Sequence, residues 1–389
     1  MKPKLNAKGL QDLGKTRIFT RNEQIGKIML SMELEIGVQK AVPEQLKEKP
    51  DQTALGFGRY FTDHMFIMRW NREQGWHDAK IRPYRNFSMD PAAMVFHYGQ
   101  AIFEGLKAYR GKGGDILLFR PESNFKRMNQ SAVRMCMPRI PVDRMLQALK
   151  ALVYLDRDWI PTAEGATLYL RPTMIATEPA LGLRPSDEYL FFVLASPVGA
   201  YYPEGFNPVK IYVEDTYVRA VPGGVGEAKT AGNYAASVKA LTESQRKGYS
   251  QVLWLDALEH KYIEEVGTSN AFFVINDQLV TPPLGGTILP GITRDSVLQL
   301  AKDWGMTINE RMISIDEILT GAEDGSLQEV FSTGTAAVIS PLGELCYKGK
   351  TIFVNDGKAG PVAQRLFDEL QAIQFGERKD PHNWMVRVA

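Results

Sequence analysis

Residues 222–237 read PGGVGEAKTAGNYAAS and are the most informative stretch of this 389-residue sequence. The glycine-rich half is a predicted loop, because glycine adopts backbone conformations that other residues avoid. The half that begins with NYAAS is predicted to start a helix. Such a loop brings Lys229 close to whatever its backbone surrounds. By residue type alone Lys229 would be a solvated surface lysine, so its companions decide its role.

Two chemical interpretations of this loop are open. Gly223, Lys229 and Thr230 have the spacing of the phosphate-binding pattern G-x-x-x-x-G-K-[ST], but Ala228 stands where that pattern requires glycine. The alternative is a lysine that forms a Schiff base with a carbonyl group. That role requires burial or cationic neighbours, which lower the lysine pKa from about 10.4 towards about 7 to 8.

Further residues offer what a pyridoxal cofactor needs around its ring. Tyr234 lies five residues beyond Lys229, where its hydroxyl group could reach the same site. Glu265 lies between a strand-like run and the turn GTSN, and a carboxylate there would keep a pyridine nitrogen protonated. We expect the neighbouring Glu264 to be the solvated member of the pair.

A phosphate group has several candidate partners. Ile292 and Thr293 follow a proline–glycine pair at the start of a predicted helix, where free amide groups and the helix dipole favour an anion. The turn that contains Thr335 offers more amides and hydroxyls. Arg127 is a permanent cation that could bind phosphate through two hydrogen bonds.

Composition narrows the classes of function. The sequence has 46 basic and 45 acidic residues, a balance that does not predict binding to nucleic acid or to anionic membranes. Cys136 and Cys346 lack the spacing of metal ligands, so we expect no metal site. The N-terminus has no apolar run of the kind found in secretory signals, and no stretch predicts a membrane span, so we expect a cytoplasmic protein.

The pattern along the chain predicts a mixed α/β fold with two domains. Residues 1–55 form an N-terminal extension, residues 56–200 a small domain, residues 201–209 a linker and residues 210–389 a large domain. Residues 122–136, 145–159 and 233–248 are predicted helices. Predicted strands cover residues 59–70, 114–119, 169–174, 189–196, 210–221 and 251–256.

From residue 57 to the C-terminus, the sequence resembles the branched-chain amino acid aminotransferases, which are pyridoxal 5'-phosphate enzymes of fold type IV. The resemblance implies that Lys229 forms the Schiff base, that Glu265 faces the pyridine nitrogen and that Tyr234 faces the phenolate oxygen. It also implies phosphate contacts from Arg127, Ile292, Thr293 and Thr335. The segments that carry it are FTDHM, YGQAIFEGLKAYR, LFRPESNFKRM, LYLRP, EPALG, SPVGAYY, GGVGEAKTAGNYAAS, QVLWLD, EEVGTSN, LPGITR and STGTAAV.

The same resemblance implies an active site at the domain interface and a homodimer. The expected reaction is a ping-pong transfer of the amino group from L-leucine, L-isoleucine or L-valine to 2-oxoglutarate. The alternatives are D-amino acid transamination or aminodeoxychorismate lysis on the same scaffold, or a nucleotide-binding protein. The implied substrate pocket contains Phe57, Tyr98, Phe103, Tyr169, Arg171, Tyr201, Thr268 and Ala336, with Leu181 and Leu183 from the partner subunit.

Overall fold

The computed structural model describes residues 17–20, 25–30, 34–199 and 206–388. The chain divides into two compact units, the first made of Met1–Ala200 with Ile373–Ala389 and the second of Tyr201–Ala372. Residues 373–389 are therefore grouped with the first unit, whereas the sequence pattern predicts them in the second domain. The predicted linker lies largely outside the described residues, and its bounds stay a prediction.

The first unit is built on an eleven-stranded sheet with the order β1-β2-β3-β5-β4-β10-β9-β7-β8-β20, in which β6 also pairs with β9. Its pairings are antiparallel except for the parallel pair β3–β5. The strands are β1 (Arg17–Thr20), β2 (Ile25–Leu30), β3 (Leu34–Gln39), β4 (His64–Asn71), β5 (Gly75–Pro83), β6 (Ala101–Phe103), β7 (Leu106–Arg110), β8 (Ile116–Phe119), β9 (Thr167–Ala176), β10 (Glu188–Val198) and β20 (Met385–Arg387).

Two amphipathic helices cover one face of this sheet. Their buried side chains, such as Phe125 and Leu149, join one core with strand residues such as Leu168 and Phe191. Because side chains alternate along a strand, the neighbours of Leu168 and Leu170 on β9 point to the opposite face. The helices of this unit are α1 (Met94–Tyr98), α2 (Pro121–Arg134) and α3 (Val142–Leu155), with single 3₁₀ turns at Pro43–Gln45 and Arg157–Trp159.

The segment predicted to be an N-terminal extension contributes strands to the first sheet. β3 pairs with β5 in parallel, and β1 and β2 continue the sheet outward from β3. Ile36 on β3 is fully buried and belongs to the main core of the unit. The polar, lysine-containing composition of this segment does not reveal these strands, because edge strands tolerate charged residues.

The second unit contains a closed barrel. Successive pairings join β11, β12, β13, β14, β17 and β18 into a ring, since β13 pairs with both β12 and β14. Closure satisfies the backbone of these strands without leaving an open edge among them. The strands of this unit are β11 (Val209–Glu214), β12 (Gln251–Leu255), β13 (Ile263–Val266), β14 (Ser269–Ile275), β15 (Gln278–Thr281), β16 (Ile308–Glu310), β17 (Leu327–Gly334), β18 (Val338–Tyr347) and β19 (Lys350–Phe353).

Helices of the second unit begin after loops that lead from the barrel. Val252 and Trp254 of β12 pack against Ala240 of the first of these helices. In the described residues, no helix is both long and apolar enough to span a membrane. The helices are α4 (Ala231–Arg246), α5 (Ile292–Asp303), α6 (Ile315–Asp324) and α7 (Pro361–Gln374), with a 3₁₀ turn at Asn355–Gly357.

The predicted helices at residues 122–136 and 233–248 are confirmed as α2 and α4. The helix predicted for residues 145–159 is α3 followed by a 3₁₀ turn. The strand predicted for residues 210–221 is shorter, because β11 ends at Glu214. The buried carboxylate of Glu214 accepts hydrogen bonds from the amides of Thr216 and Tyr217 and turns the chain out of the strand.

The turn that leads into β13 depends on Asp256. Its carboxylate accepts hydrogen bonds from the amides of Leu258, Glu259, Lys261 and Tyr262 at 2.8 to 3.0 Å. Burial acts to raise the pKa of this carboxyl group, but the four backbone hydrogen bonds outweigh burial and lower the pKa. The ionised side chain thus fixes the start of the strand that carries Glu264 and Glu265.

We expect Asp256→Ala to lower the free energy of unfolding by about 2 to 3 kcal/mol at pH 7, because four amides lose their acceptor. The folded-state pKa of Asp256 is lowered, so its stabilisation is complete above the ordinary carboxyl pKa and is lost as the pH falls through the lowered value. Urea unfolding at several pH values measures both effects.

Glu259→Ala in the same turn is the control, because the Glu259 side chain is exposed. An Asp256→Ala protein as stable as the control at pH 7, or a difference between the two that does not shrink in acid, would contradict this account.

Candidate active site

Lys229 and Tyr234 are in direct contact. The Lys229 Nζ donates a hydrogen bond to the Tyr234 hydroxyl oxygen at 2.7 Å, and both side chains are half-buried. Lys229 ends the glycine-rich loop, and Tyr234 lies on the first turn of α4. The helix turns the tyrosine back towards the lysine because position 234 follows the start of α4 by three residues.

The loop that carries Lys229 is held by two side chains whose roles are not visible in the sequence. Asn233 donates hydrogen bonds to the carbonyl oxygens of Val225 and Ala228, both at 2.8 Å. The guanidinium group of Arg219 donates to the carbonyl oxygen of Gly226 at 3.0 Å. The loop is therefore a fixed structure, and Lys229 emerges from it in a defined direction.

Glu265 is a buried carboxylate with several donors around it. It lies on β13 opposite Asn270 of β14, and only 2% of its surface is exposed. Its Oε1 accepts hydrogen bonds from the Leu289 amide at 2.8 Å and from the Asn270 side chain at 3.2 Å. Its Oε2 lies 3.1 Å from Nε of Arg219. These donors stabilise the ionised form of a group that burial alone would disfavour.

The expectation that Glu264 is solvated was wrong. Only 7% of its surface is exposed, because all four residues of β13 are buried in the second unit. Burial raises the pKa of the Glu264 carboxyl group, whereas a hydrogen bond from Thr287 and the charge of Arg219 act in the opposite direction. Alternation along a strand sends one carboxylate to each face, but here both faces are covered.

One pocket of the second unit joins these elements. It encloses about 300 Å³, counting the space open to solvent, and Glu265 and Tyr234 both line it. Thr268 contributes from the two-residue turn between β13 and β14, and Leu289 contributes from the loop before α5. An amine, a phenol and a carboxylate are thus gathered around a pocket with a partly apolar wall.

The candidate phosphate partners in this unit lie at turns and at a helix start. Ile292 and Thr293 are the first residues of α5, which confirms the predicted helix. A Cβ atom at Gly291 would lie 1.9 Å from Oδ1 of Asn270, so only glycine fits before this helix. Thr335 and Ala336 form the turn after β17, at the barrel end where β13 turns into β14, because β14 and β17 are antiparallel neighbours.

Arg127 lies in the first unit, where a buried carboxylate fixes its orientation. Its Nε and Nη2 donate to the two oxygens of Glu104, each at 2.8 Å, and Glu104 is fully buried. Asn124, one helical turn before Arg127 on α2, also donates to Glu104 at 2.8 Å. A paired guanidinium of this kind has one edge fixed by the protein and a defined direction for the rest of the group.

Four of the predicted substrate residues form an aromatic cluster in the first unit. The rings of Phe57 and Tyr169 meet edge to face at 4.9 Å. The Arg171 guanidinium lies 4.8 Å from the Phe103 ring centre and donates to the Tyr169 hydroxyl at 3.2 Å. A Cβ atom at Gly105 would lie 1.9 Å from this hydroxyl oxygen, so glycine leaves the space that Tyr169 fills.

The remaining predicted substrate residues are also located, with one exception. The Tyr98 hydroxyl donates to the carbonyl oxygen of Leu181. The side chains of Leu181 and Leu183 are 66% and 82% exposed, in the loop between β9 and β10. Tyr201 lies outside the described residues.

Comparison with known proteins identifies the family. Residues 101–345 match the family described as Amino-transferase class IV. Branched-chain-amino-acid aminotransferase 2 of Bacillus subtilis (strain 168) is 55% identical over 343 residues, which cover 88% of this chain and 94% of that protein. The chain therefore belongs to the class IV aminotransferases.

Solved structures agree with this assignment. The Escherichia coli branched-chain amino acid aminotransferase superposes with a TM-score of 0.71 at 27% identity, covering 84% of this chain and 99% of that one. The T.th. branched-chain amino acid aminotransferase with pyridoxamine 5'-phosphate has a TM-score of 0.69 at 27% identity, covering 83% and 98%. The fold type IV prediction and the resemblance to branched-chain amino acid aminotransferases are confirmed, and the nucleotide-binding interpretation of the lysine loop is wrong.

We expect Glu104→Ala to lower the free energy of unfolding by about 3 to 5 kcal/mol, because the Arg127 charge would stay buried without its carboxylate. Urea unfolding measures the change. Glu122→Ala on the same helix as Arg127 is the control, since Glu122 pairs with Lys126 at 2.7 Å on an exposed surface and should contribute less than about 1 kcal/mol. Equal losses in the two variants would show that Glu104 does not hold Arg127 in solution.

Proposed function

We propose that this protein is a branched-chain-amino-acid aminotransferase. It transfers the amino group of L-leucine, L-isoleucine or L-valine to 2-oxoglutarate, in a reversible ping-pong reaction that gives branched-chain 2-oxo acids and L-glutamate. The observation that carries the proposal is the contact of Lys229 with Tyr234 beside the pocket that Glu265 lines. The Bacillus subtilis relative supports the choice of substrates, because more than half of the aligned residues are identical.

The donor groups of the second unit fit pyridoxal 5'-phosphate. When bound, this cofactor supplies an aldehyde that accepts the amino group and a ring that withdraws electrons from the substrate. Lys229 would hold the aldehyde carbon, Glu265 the ring nitrogen and Tyr234 the phenolate oxygen. Gly291 supports the fit, because it leaves open the approach to the first amides of α5. Thr268, Ile292, Thr293, Thr335 and Arg127 would hold the phosphate side.

Lys229 has two tasks in this proposal. Its amine is held by the Tyr234 hydroxyl at 2.7 Å, so it is already oriented for attack on a carbonyl group. Once released, the same amine can accept the proton from the α-carbon of the substrate and return it elsewhere. The Glu265 carboxylate, buried and held by three donors, keeps a negative charge in place without rearrangement.

The aromatic cluster of the first unit suits the two kinds of substrate side chain. Phe57, Phe103 and Tyr169 offer apolar ring surface for a branched aliphatic chain. Arg171 lies among these rings and can pair with the second carboxylate of glutamate. Tyr98, Tyr201, Thr268 and Ala336 would complete the pocket.

We also propose a homodimer in which Leu181 and Leu183 contribute to the site of the partner subunit. Both leucines are strongly exposed in the single chain. Their loop is nevertheless held firmly, because the Glu178 carboxylate accepts hydrogen bonds from Arg184 and from the Asp187 amide. An ordered loop that exposes leucine is typical of an interaction surface. Two free cysteines, one of them exposed, are consistent with the cytoplasm as its compartment.

The direct test is the half-reaction. We expect the purified protein, loaded with pyridoxal 5'-phosphate, to show a visible absorbance that changes when L-leucine is added without 2-oxoglutarate. Addition of 2-oxoglutarate should restore the original spectrum. A panel of both enantiomers separates the proposal from D-amino acid transamination: a response to D-leucine and none to L-leucine would contradict it, as would a protein that binds no cofactor.

We expect Lys229→Ala to reduce turnover by at least about 10² to 10⁴-fold, because proton transfer at the α-carbon loses its base. Borohydride treatment followed by peptide mass spectrometry should label Lys229 in the original protein. The control is Lys239→Ala on α4, whose lysine pairs with Glu243 on the exposed side of the helix. Substantial turnover in Lys229→Ala, or labelling of another lysine, would show that the wrong residue had been assigned.

A complementation experiment tests the homodimer. We expect Lys229→Ala alone, and the double variant Leu181→Asp with Leu183→Asp alone, to be nearly inactive. A mixed dimer should regain activity, because one of its two sites combines an intact lysine from one subunit with an intact loop from the other. If mixed dimers form, as shown by two affinity tags, and remain inactive, the loop does not serve the partner site.

A further inference from the structure

Arg219 lies at the centre of the second unit and has no role in the function proposed so far. It belongs to the chain between β11 and α4, ten residues before Lys229, and only 9% of its surface is exposed. A buried guanidinium group loses its hydration, so its partners in the protein must replace the lost water. Three such partners surround Arg219, and each belongs to a different part of the candidate site.

The first partner is the carboxylate of Glu265, whose Oε2 lies 3.1 Å from the Arg219 Nε. The other two are backbone carbonyl oxygens. The Arg219 Nη2 donates to Gly226 at 3.0 Å and to Thr287 at 2.6 Å. Gly226 belongs to the lysine loop, and Thr287 belongs to the loop that leads to Leu289 and α5. One side chain therefore joins the lysine loop, the loop before α5 and the ring-facing carboxylate.

A second, independent observation shows that these two loops need close contact. A Cβ atom at Gly226 would lie 2.4 Å from the carbonyl oxygen of Thr287, so the loops approach more closely than any other residue at position 226 would allow. The amide of Glu227 also donates to the carbonyl oxygen of Gly286 at 3.0 Å. Arg219 closes this junction from the side on which Glu265 lies.

Only arginine has the shape that this junction requires. Its Nε and Nη2 point in fixed directions from one planar group, so it can face a carboxylate and two carbonyl oxygens together. The ammonium group of lysine would keep the positive charge but not this arrangement of donors. Arg219 is also the cation between two buried acids, since its charge acts on Glu264 as well as on Glu265.

We propose that Arg219 is a positioning residue for amino-group transfer: it fixes the Glu265 carboxylate as an anion and locks the lysine loop to the loop before α5. The inference rests on the proposed function and acts through Glu265 and the two loops, without contact between Arg219 and the substrate. Pyridoxal 5'-phosphate should therefore bind to a site whose parts are already aligned.

The test compares Arg219→Gln and Arg219→Lys with the original protein. For Arg219→Gln we expect the dissociation constant of pyridoxal 5'-phosphate from the apoprotein to rise about 10- to 100-fold, as befits loss of a charged hydrogen-bonding partner. We expect kcat to fall by a similar factor while KM for L-leucine changes less than about threefold. Arg219→Lys should recover part of kcat, because it keeps the charge, but little of the cofactor affinity.

A double-mutant cycle with Glu265→Gln examines the route of the effect. If Arg219 acts through Glu265, the kcat of the double variant should be close to that of Glu265→Gln alone. Multiplying factors would overturn this part of the proposal. The control is Arg311→Gln, which removes an arginine held by Glu317 and by the Met312 carbonyl oxygen, and which should leave cofactor affinity unchanged.

Unfolding of each apoprotein separates positioning from a general loss of structure. A folded Arg219→Gln protein with the original cofactor affinity and kcat would overturn the proposal. If that variant does not fold, Arg219→Lys decides, and original affinity in Arg219→Lys would likewise overturn it. Failure of the proposed function has a different signature, because the unmutated protein would then show no cofactor binding or no response to L-leucine.

Discussion

The structure of the second unit depends on keeping a negative charge at Glu265 in a place that water does not reach. Burial of a lone carboxylate is strongly unfavourable, so the protein must supply donors for it. It does so from three separate parts of the chain: Asn270 across the hairpin, the Leu289 amide and Arg219. Each donor fixes its own segment in return, and this requirement positions the lysine loop and the loop before α5 around one carboxylate.

The closed barrel makes this arrangement rigid. β13 is short, and its pairing on both sides fixes the register of Glu265 opposite Asn270. The fully buried Trp254 donates from its indole nitrogen to the carbonyl oxygen of Gly267 at 2.9 Å and so holds the turn that follows Glu265. A carboxylate on a fixed strand end can stabilise charge on a bound ring without moving, and this is how preorganised sites promote reaction.

The chemistry of the site is visible in the sequence, but its supports are not. Lys229, Tyr234 and Glu265 stand out because an amine, a phenol and a carboxylate follow glycine-rich or turn segments. Arg219 has no such signal: it lies in a stretch that reads as strand, and only the end of β11 at Glu214 leaves it in a loop. Glu104 likewise looks like any acidic residue until its pairing with Arg127 is seen. The solvation expected for Glu264 failed because strand alternation does not tell how many faces of a strand are covered.

The sequence by itself determined the mixed α/β class, the main helices and strands, the membership of an aminotransferase family and the lysine at the centre of the chemistry. These follow from local patterns and from motifs whose residues are near one another in the chain. Only the tertiary structure decided that the barrel closes, that the N-terminal segment joins the first sheet and that Arg219, Asn233 and Asn270 hold the site together. Those contacts join residues far apart in sequence, and their energies arise from burial, which no local pattern of residues specifies.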